Sequence, residues 1–103
     1  MKYFREILLI CIFYLSCTID ANAADISNGS RIYAGNCEIC HADNGRGTVP
    51  DAPDFRFGDG LIKPDTELFK TISSGKRLMP GFQGMLNERD ILDVIGYIRS
   101  LNQ

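Results

Sequence analysis

The segment best equipped for chemistry is Cys37-Glu38-Ile39-Cys40-His41, in which two thiols lie three positions apart and a histidine follows the second. This C-x-x-C-H spacing is the signature of covalent c-type haem attachment. The thiols can add across the two vinyl groups at one haem edge, and a short helical turn brings the following imidazole beneath the iron. The sequence therefore predicts that Cys37 and Cys40 bind one haem c and that His41 is an axial iron ligand.

Three other kinds of site share part of this pattern. A thioredoxin-like dithiol belongs near a βαβ pattern, and the sequence shows no run of buried parallel strands. A zinc site usually takes four Cys or His ligands, whereas the chain has one His and, outside its first 23 residues, two Cys. A disulfide between Cys37 and Cys40 would close a loop too short to constrain the chain much, and it would leave His41 unexplained. Haem attachment explains all three residues.

The second axial ligand is expected to be a methionine, because the chain has no second histidine. Met79 precedes Pro80-Gly81-Phe82, a rigid turn that would fix the direction of the sulfur, with Phe82 close enough to shield the haem edge. Met85 is the alternative, although it is interpreted more readily as a core-filling side chain. We expect Met79 to be the ligand. A His/Met pair saturates the iron and raises its reduction potential, which suits electron transfer.

Residues 1–23 have the pattern of an export signal. Lys2 and Arg5 form a positive first region, residues 7–15 form an apolar core, and Ala21-Asn22-Ala23 is an A-x-A cleavage site. The apolar core is too short for a transmembrane helix. The sequence therefore predicts a signal peptide at 1–23 and one domain at 24–103.

Two alternatives for this leader remain open. It could stay uncleaved as a membrane anchor, or Cys17 could be lipidated, since Leu15-Ser16-Cys17 resembles part of a bacterial lipobox. Either alternative would bring the protein into contact with a membrane.

The remaining 80 residues form one small domain with a modest core, so an additional stabilising group such as haem is expected. Their formal charge of −2 shows no electrostatic footprint for nucleic acid. Export would place the thiols in an oxidising compartment.

The periodicity predicts helices separated by a long loop. The first begins near Ser27 or Asn28 and runs towards Cys37. A second covers 66–74, started near Pro64 or Asp65 and ended by Gly75, and the last begins at the cap residue Asn87. Residues 42–64 are rich in Gly and Pro and are expected to wrap a haem edge as a loop. The apolar stripe of the last helix consists of Ile91, Val94, Ile95, Ile98 and Leu101.

From residue 26 to 103 the chain resembles the class I cytochromes c, in their small bacterial single-haem form. The resemblance rests on Cys37-Glu38-Ile39-Cys40-His41, Ala52-Pro53-Asp54-Phe55, Met79-Pro80-Gly81-Phe82 and Asp93-Val94-Ile95-Gly96-Tyr97-Ile98-Arg99. It implies an all-α fold of three to four short helices and loops wrapped around one covalent haem.

The resemblance also implies roles for individual residues. Gly29 and Tyr33 would pack across the last helix beside Tyr97. The carbonyl of Pro53 would accept a hydrogen bond from the imidazole of His41, orienting the ring, with Pro50 as the alternative loop proline.

The function implied is that of a periplasmic one-electron carrier between redox partner proteins, a monomer or weak dimer that is not an enzyme and binds no nucleic acid. Membrane contact would arise only through a retained leader or a lipidated Cys17. A docking patch for an acidic partner is one interpretation of four basic residues, Lys63, Lys70, Lys76 and Arg77. Two alternatives remain: a five-coordinate haem catalyst or gas sensor, and a small haem subunit of a larger redox complex.

Overall fold

The computed structural model describes residues 1–15 and 23–102. Its helices are α1 (Lys2–Leu15), α2 (Ile26–Asn36), α3 (Glu38–His41), α4 (Asp65–Ser74) and α5 (Glu88–Ser100), with one short 3-10 turn at Phe55–Phe57. Within these described ranges there is no β-strand, only two isolated bridges. The prediction of an all-α fold is confirmed.

Helix α1 lies within the predicted leader, and the large apolar side chains described between residues 3 and 14 are exposed to solvent. No helix over the described ranges is long and apolar enough to cross a membrane. Cys17 and most of the proposed cleavage motif, Ala21 and Asn22, lie outside the described residues. The signal peptide therefore stays a prediction.

The helix boundaries follow the local sequence closely, with one correction. Asn87 caps α5, its side chain accepting the backbone N–H of Asp90 at 2.8 Å, and α4 begins after Pro64 and ends at Gly75. The cap of α2, however, is Asp25 rather than Ser27 or Asn28. Its carboxylate accepts the backbone N–H of Asn28 at 3.0 Å, because only Asp25 has the extended backbone that a cap requires.

Helices α2 and α5 cross with almost no space between their backbones. A methyl group at Gly29 would overlap the carbonyl oxygen of Asp93 and would lie 3.0 Å from Cβ of Tyr97. Beside this point the rings of Tyr33 and Tyr97 pack with their centroids 5.1 Å apart and tilted by 60°. The expected glycine and tyrosine crossing is confirmed, and it joins the two ends of the domain.

A buried carboxylate reinforces the crossing. Asp93 on α5 is only 2% exposed, and its oxygens accept the backbone N–H of Asp25 at 2.8 Å and the side-chain amide of Asn28 at 2.9 Å. Arg89 lies one turn earlier, with Nε 3.4 Å from the same carboxylate. Burial alone would raise the pKa of Asp93, but these hydrogen bonds and Arg89 outweigh it and hold the pKa below its usual value.

The apolar core forms where α5 meets α2, α4 and the loop. The predicted stripe of α5 faces inward, with four members buried and Leu101 half-buried against them. The long loop contributes Phe55 and Leu61 to this core, and α4 contributes Ile72. The loop is therefore part of the packed interior.

The crossing gives a stability prediction at Gly29. Gly29→Ala should lower the free energy of unfolding by about 1–3 kcal/mol, because the new methyl forces the two backbones apart. The matched control is Gly35→Ala in the same helix, where an added methyl meets nothing within 4 Å. It should leave stability unchanged or slightly raised. Chemical denaturation of both variants decides this, and equal losses would contradict the crossing.

Candidate functional site

The two cysteines and the histidine lie on a tight turn directly after α2. Cys37 ends α2 and begins α3, and its carbonyl accepts the backbone N–H groups of Cys40 at 3.3 Å and His41 at 3.0 Å. This single helical turn brings the three predicted site residues together. Both thiols are free, with no disulfide between them.

The loop after the turn holds it in place. The backbone N–H of Gly47 donates to the carbonyl of His41 and that of Thr48 to the carbonyl of Cys40, each at 2.9 Å. The hydroxyl of Thr48 also donates to the carbonyl of Ile39 at 3.0 Å. Because the loop holds this turn by hydrogen bonds to its carbonyl groups, the backbone of His41 has a fixed position.

Tyr33 makes a contribution that the sequence did not indicate. Its hydroxyl donates to the carbonyl of Ala42 at 2.5 Å, and Ala42 has a left-handed φ of 63°. Such a φ is costly for alanine and persists only when neighbours hold it. Burial, the largest cause, together with nearby Cys37, raises the pKa of the Tyr33 hydroxyl, so it remains a donor. The only sequence signal for this was an aromatic one turn before the thiols.

An apolar cavity of about 390 Å³ lies beneath this turn, within the range of small-molecule and cofactor sites. The structure brings all five predicted site residues to its walls, namely Cys37, Cys40, His41, Pro53 and Met79. Core residues complete the lining, among them Phe55, Leu61, Leu68, Ile72, Val94 and Ile95. A large flat apolar group with two thiol attachment points fits such a site.

The surroundings of His41 favour the neutral form of its imidazole ring. It stacks on Phe55 with centroids 5.0 Å apart and an interplanar angle of 20°, and burial lowers its pKa. Neutral imidazole is the form that binds metals. Burial, with a smaller contribution from Cys40, raises the pKa of the Cys37 thiol to about 11, so this thiol is protonated at neutral pH.

The expected hydrogen bond from His41 to the Pro53 carbonyl is not formed. Nδ1 of His41 is buried without a hydrogen-bond partner in the described part of the chain, although Pro53 lines the same cavity. The ring packs flat on Phe55, which offers no acceptor. Buried polar atoms are rarely left without a hydrogen-bond partner, so Nδ1 of His41 is available for one further hydrogen bond.

Met79 reaches the cavity from the opposite end of the chain. Its turn is closed by two backbone hydrogen bonds of 3.0 Å with Lys76. Gly75 is required beneath the turn, because its φ is +77° and a methyl there would lie 2.6 Å from the carbonyl oxygen of Met79. The half-buried Met79 side chain therefore has a fixed backbone behind it.

The expectation that Met85 fills core space was wrong, whereas the shielding of a haem edge by Phe82 stays a prediction. Met85 is 71% exposed and does not line the cavity, so it does not fill the core. Its place just before the α5 cap leaves it on the surface. Phe82 is also absent from the cavity lining; it is buried in the core, and its N–H donates to the carbonyl of Ile72 at 2.9 Å. Phe82 thus anchors the Met79 turn to α4.

The basic residues divide into two groups. Lys63, Lys76 and Arg77 lie at the cavity, whereas Lys70 does not line it. Positive charge at the rim of an apolar cavity suits a ligand that carries carboxylates. In contrast, the described residues contain no group of three His, Cys, Asp or Glu side chains able to hold a metal ion by themselves.

Comparison with known proteins gives matches over most of the chain. Residues 24–98 match the family model described as cytochrome c oxidase, cbb3-type, subunit III. A cytochrome c6 of Thermostichus vulcanus is 31% identical, covering 94% of this chain and 89% of that protein. A cytochrome c6 of Bumilleriopsis filiformis is 34% identical, covering 78% of this chain and 95% of that protein.

Solved structures show the same fold. The c-type cytochrome KustC0563 superimposes with a TM-score of 0.67 at 20% identity, covering 73% of this chain and 98% of that one. Cytochrome c6 from the diatom Phaeodactylum tricornutum gives a TM-score of 0.65 at 23% identity, covering 75% of this chain and 93% of that one. At these identities the likeness concerns the fold alone.

The Tyr33 hydrogen bond gives a prediction for the turn below the cavity. Tyr33→Phe should lower the free energy of unfolding by about 0.5–1.5 kcal/mol, because the carbonyl of Ala42 loses the hydroxyl donor and keeps only the backbone N–H of Gly45 at 3.2 Å. Tyr97→Phe is the control, since the hydroxyl of Tyr97 bonds to no described residue. Thermal unfolding of the two variants measures the difference. A loss at Tyr97 as large as that at Tyr33 would contradict this role.

Proposed function

The chain belongs to the class I c-type cytochromes, which carry covalently bound haem c, and on this premise we propose that it is a periplasmic one-electron carrier with iron ligated by His41 and Met79. The observation that carries the proposal is that one apolar cavity collects Cys37, Cys40, His41 and Met79. Bound haem supplies one-electron redox chemistry at its iron. The chain supplies attachment, ligation and exclusion of water.

The two proposed ligands differ in how the chain holds them. His41 is placed by a turn that is bonded from the loop, and Met79 by a turn closed on Lys76 and seated on Gly75. Ligands with fixed backbones need little reorganisation when the iron changes charge. A His/Met pair also leaves no open coordination position, which favours electron transfer over gas binding or peroxide chemistry.

The cavity walls would tune the reduction potential. Core side chains such as Val94 and Ile95 keep water away, and burial of this kind is one of the means by which proteins set a haem potential. Leu78, which lines the cavity directly before Met79, is exposed, and so is Ile39, which lies between the two cysteines in the chain. We propose that electrons pass at this edge, through the small contacts typical of redox encounters.

The proposal includes export. Residues 1–23 would act as a signal peptide cleaved after Ala23, releasing the domain into the periplasm to meet its redox partners. Retention of α1 as an anchor, or lipidation of Cys17, would instead hold the same domain at a membrane. The length of the isolated protein distinguishes these outcomes.

A second candidate function has one observation in its favour. The family model that matches residues 24–98 is named for a subunit of an oxidase, so this chain could serve as a small haem subunit of a larger complex. Its redox chemistry would be the same. Gel filtration of the native protein from gently lysed cells separates the two, because a free carrier elutes at the size of one small domain.

The ligand assignment predicts different results for the two methionines. Met79→Ala should abolish the long-wavelength absorption band that marks iron–thioether ligation and should lower the reduction potential, because the iron loses its sulfur donor. Met85→Ala is the matched control and should keep both, since Met85 is exposed and outside the cavity. Absorption spectra of the oxidised and reduced holoproteins provide the measurement.

Two other results would contradict the carrier function or the ligand assignment. If the wild-type iron is high-spin and binds carbon monoxide readily, Met79 is not a ligand and the catalyst or sensor alternative replaces the carrier. If Met85→Ala, rather than Met79→Ala, removes the band, the ligand assignment is wrong while the carrier function stands.

A further inference from the structure

The residues just before α2 are seated on α5. The carbonyl of Ala23 accepts a hydrogen bond from Nη2 of Arg89 at 2.7 Å, and the backbone N–H of Asp25 donates to Asp93 at 2.8 Å. Between them, Ala24 is half-buried against Gly96. A methyl group at Gly96 would lie 2.5 Å from Cβ of Ala24, so only glycine leaves room for this residue.

The carboxylate at this contact is charged although it is shielded from water. Asp93 is 2% exposed and its pKa is lowered by its hydrogen bonds, so it is ionised at neutral pH. The groups around it come from two elements. Asp25, which caps α2, and Asn28 on α2 donate hydrogen bonds to it. The side-chain oxygen of Asn28 also accepts a hydrogen bond from Arg31. Arg89 and Asp90 lie near it on α5.

We propose that α5 forms a binding site, the amino-terminal seat, for the processed amino terminus. In this seat the new ammonium group of Ala24 pairs with the buried carboxylate of Asp93. The proposal rests on the export and cleavage in the proposed function. Water, with a processing peptidase, hydrolyses the amide between Ala23 and Ala24. The Ala23 carbonyl leaves with the leader as a carboxylate, and the Ala24 nitrogen stays as an ammonium group.

The N–H of Asp25 already touches Asp93, and the nitrogen of Ala24 is one residue earlier, where consecutive Cα atoms are about 3.8 Å apart. Opposite charges couple over this range, and more strongly when one of them is buried. Cleavage also removes the Ala23 oxygen from Arg89, whose positive charge disfavours the new ammonium group, whereas the carboxylate of Asp93 favours it.

The pairing has a definite pH dependence. An α-amino group ordinarily has a pKa of about 7.7–8.0, and a nearby carboxylate raises it in the folded protein. A raised folded-state pKa adds stability that is fully present below the unfolded value and is lost as the pH rises through the folded value. The mature protein should therefore lose stability in mildly alkaline solution.

The test uses ¹³C-labelled holoprotein isolated after export. Intact mass first identifies the starting residue, and the ¹³C shifts of Ala24 are then followed with pH. We expect the proton affinity of this amine to be at least about tenfold above that of an ordinary α-amino group, which corresponds to one pKa unit. Asp93→Asn should return it to the ordinary range. Asp59→Asn, the same change at an exposed loop residue, should not.

Each outcome decides the question. A start at a residue other than Ala24 overturns both the predicted processing and the seat, whereas a start at Ala24 with an ordinary amine pKa overturns the seat alone. If Asp93→Asn fails to fold, the wild-type protein decides through the carboxyl carbon of Asp93. A second inflection there at the pKa of the amine supports the pair, and its absence overturns it.

Discussion

The close crossing of α2 and α5 at Gly29 is the contact on which the other features of this domain depend. Because no side chain separates the backbone of α2 from the carbonyl of Asp93, the two helices approach closely, and Cys37, which follows α2, lines the cavity. The same crossing buries Tyr33, whose hydroxyl then supports the turn that carries His41. In the proposed function, attachment at Cys37 and ligation by His41 would both depend on this one packing contact.

Core and cavity share their residues in this small domain. Val94, Ile95 and Ile72 belong to the buried core and also line the cavity, so a group bound there would pack directly against the core. A domain of this size buries little surface by itself. Haem binding and folding are therefore expected to be strongly coupled, because the same side chains gain from both.

The two turns that carry the proposed iron ligands, His41 and Met79, are fixed in different ways. The His41 turn is a short helical segment stabilised by backbone groups of the following loop. The Met79 turn is an irregular one that is closed on itself and seated on Gly75, with Phe82 anchoring it to α4. In both cases the backbone is fixed by neighbours in space, which is what a redox site with small reorganisation requires.

The sequence by itself determined the chemistry and the helices. The C-x-x-C-H spacing, the Met-Pro turn, the cap at Asn87 and the α5 stripe depend on residues within a few positions of one another, so local rules were enough to read them. Most of the helix boundaries were predicted for the same reason.

Only the tertiary structure decided which distant groups meet. It selected Asp25 as the cap of α2, left Met85 on the surface, buried Phe82 in the core and stacked the His41 ring on Phe55, with Nδ1 unpaired in the described part of the chain. The bond from Asp25 to Asp93 joins residues 68 positions apart. Such pairings depend on how whole elements pack, because many partners of similar chemistry compete and shape alone selects among them.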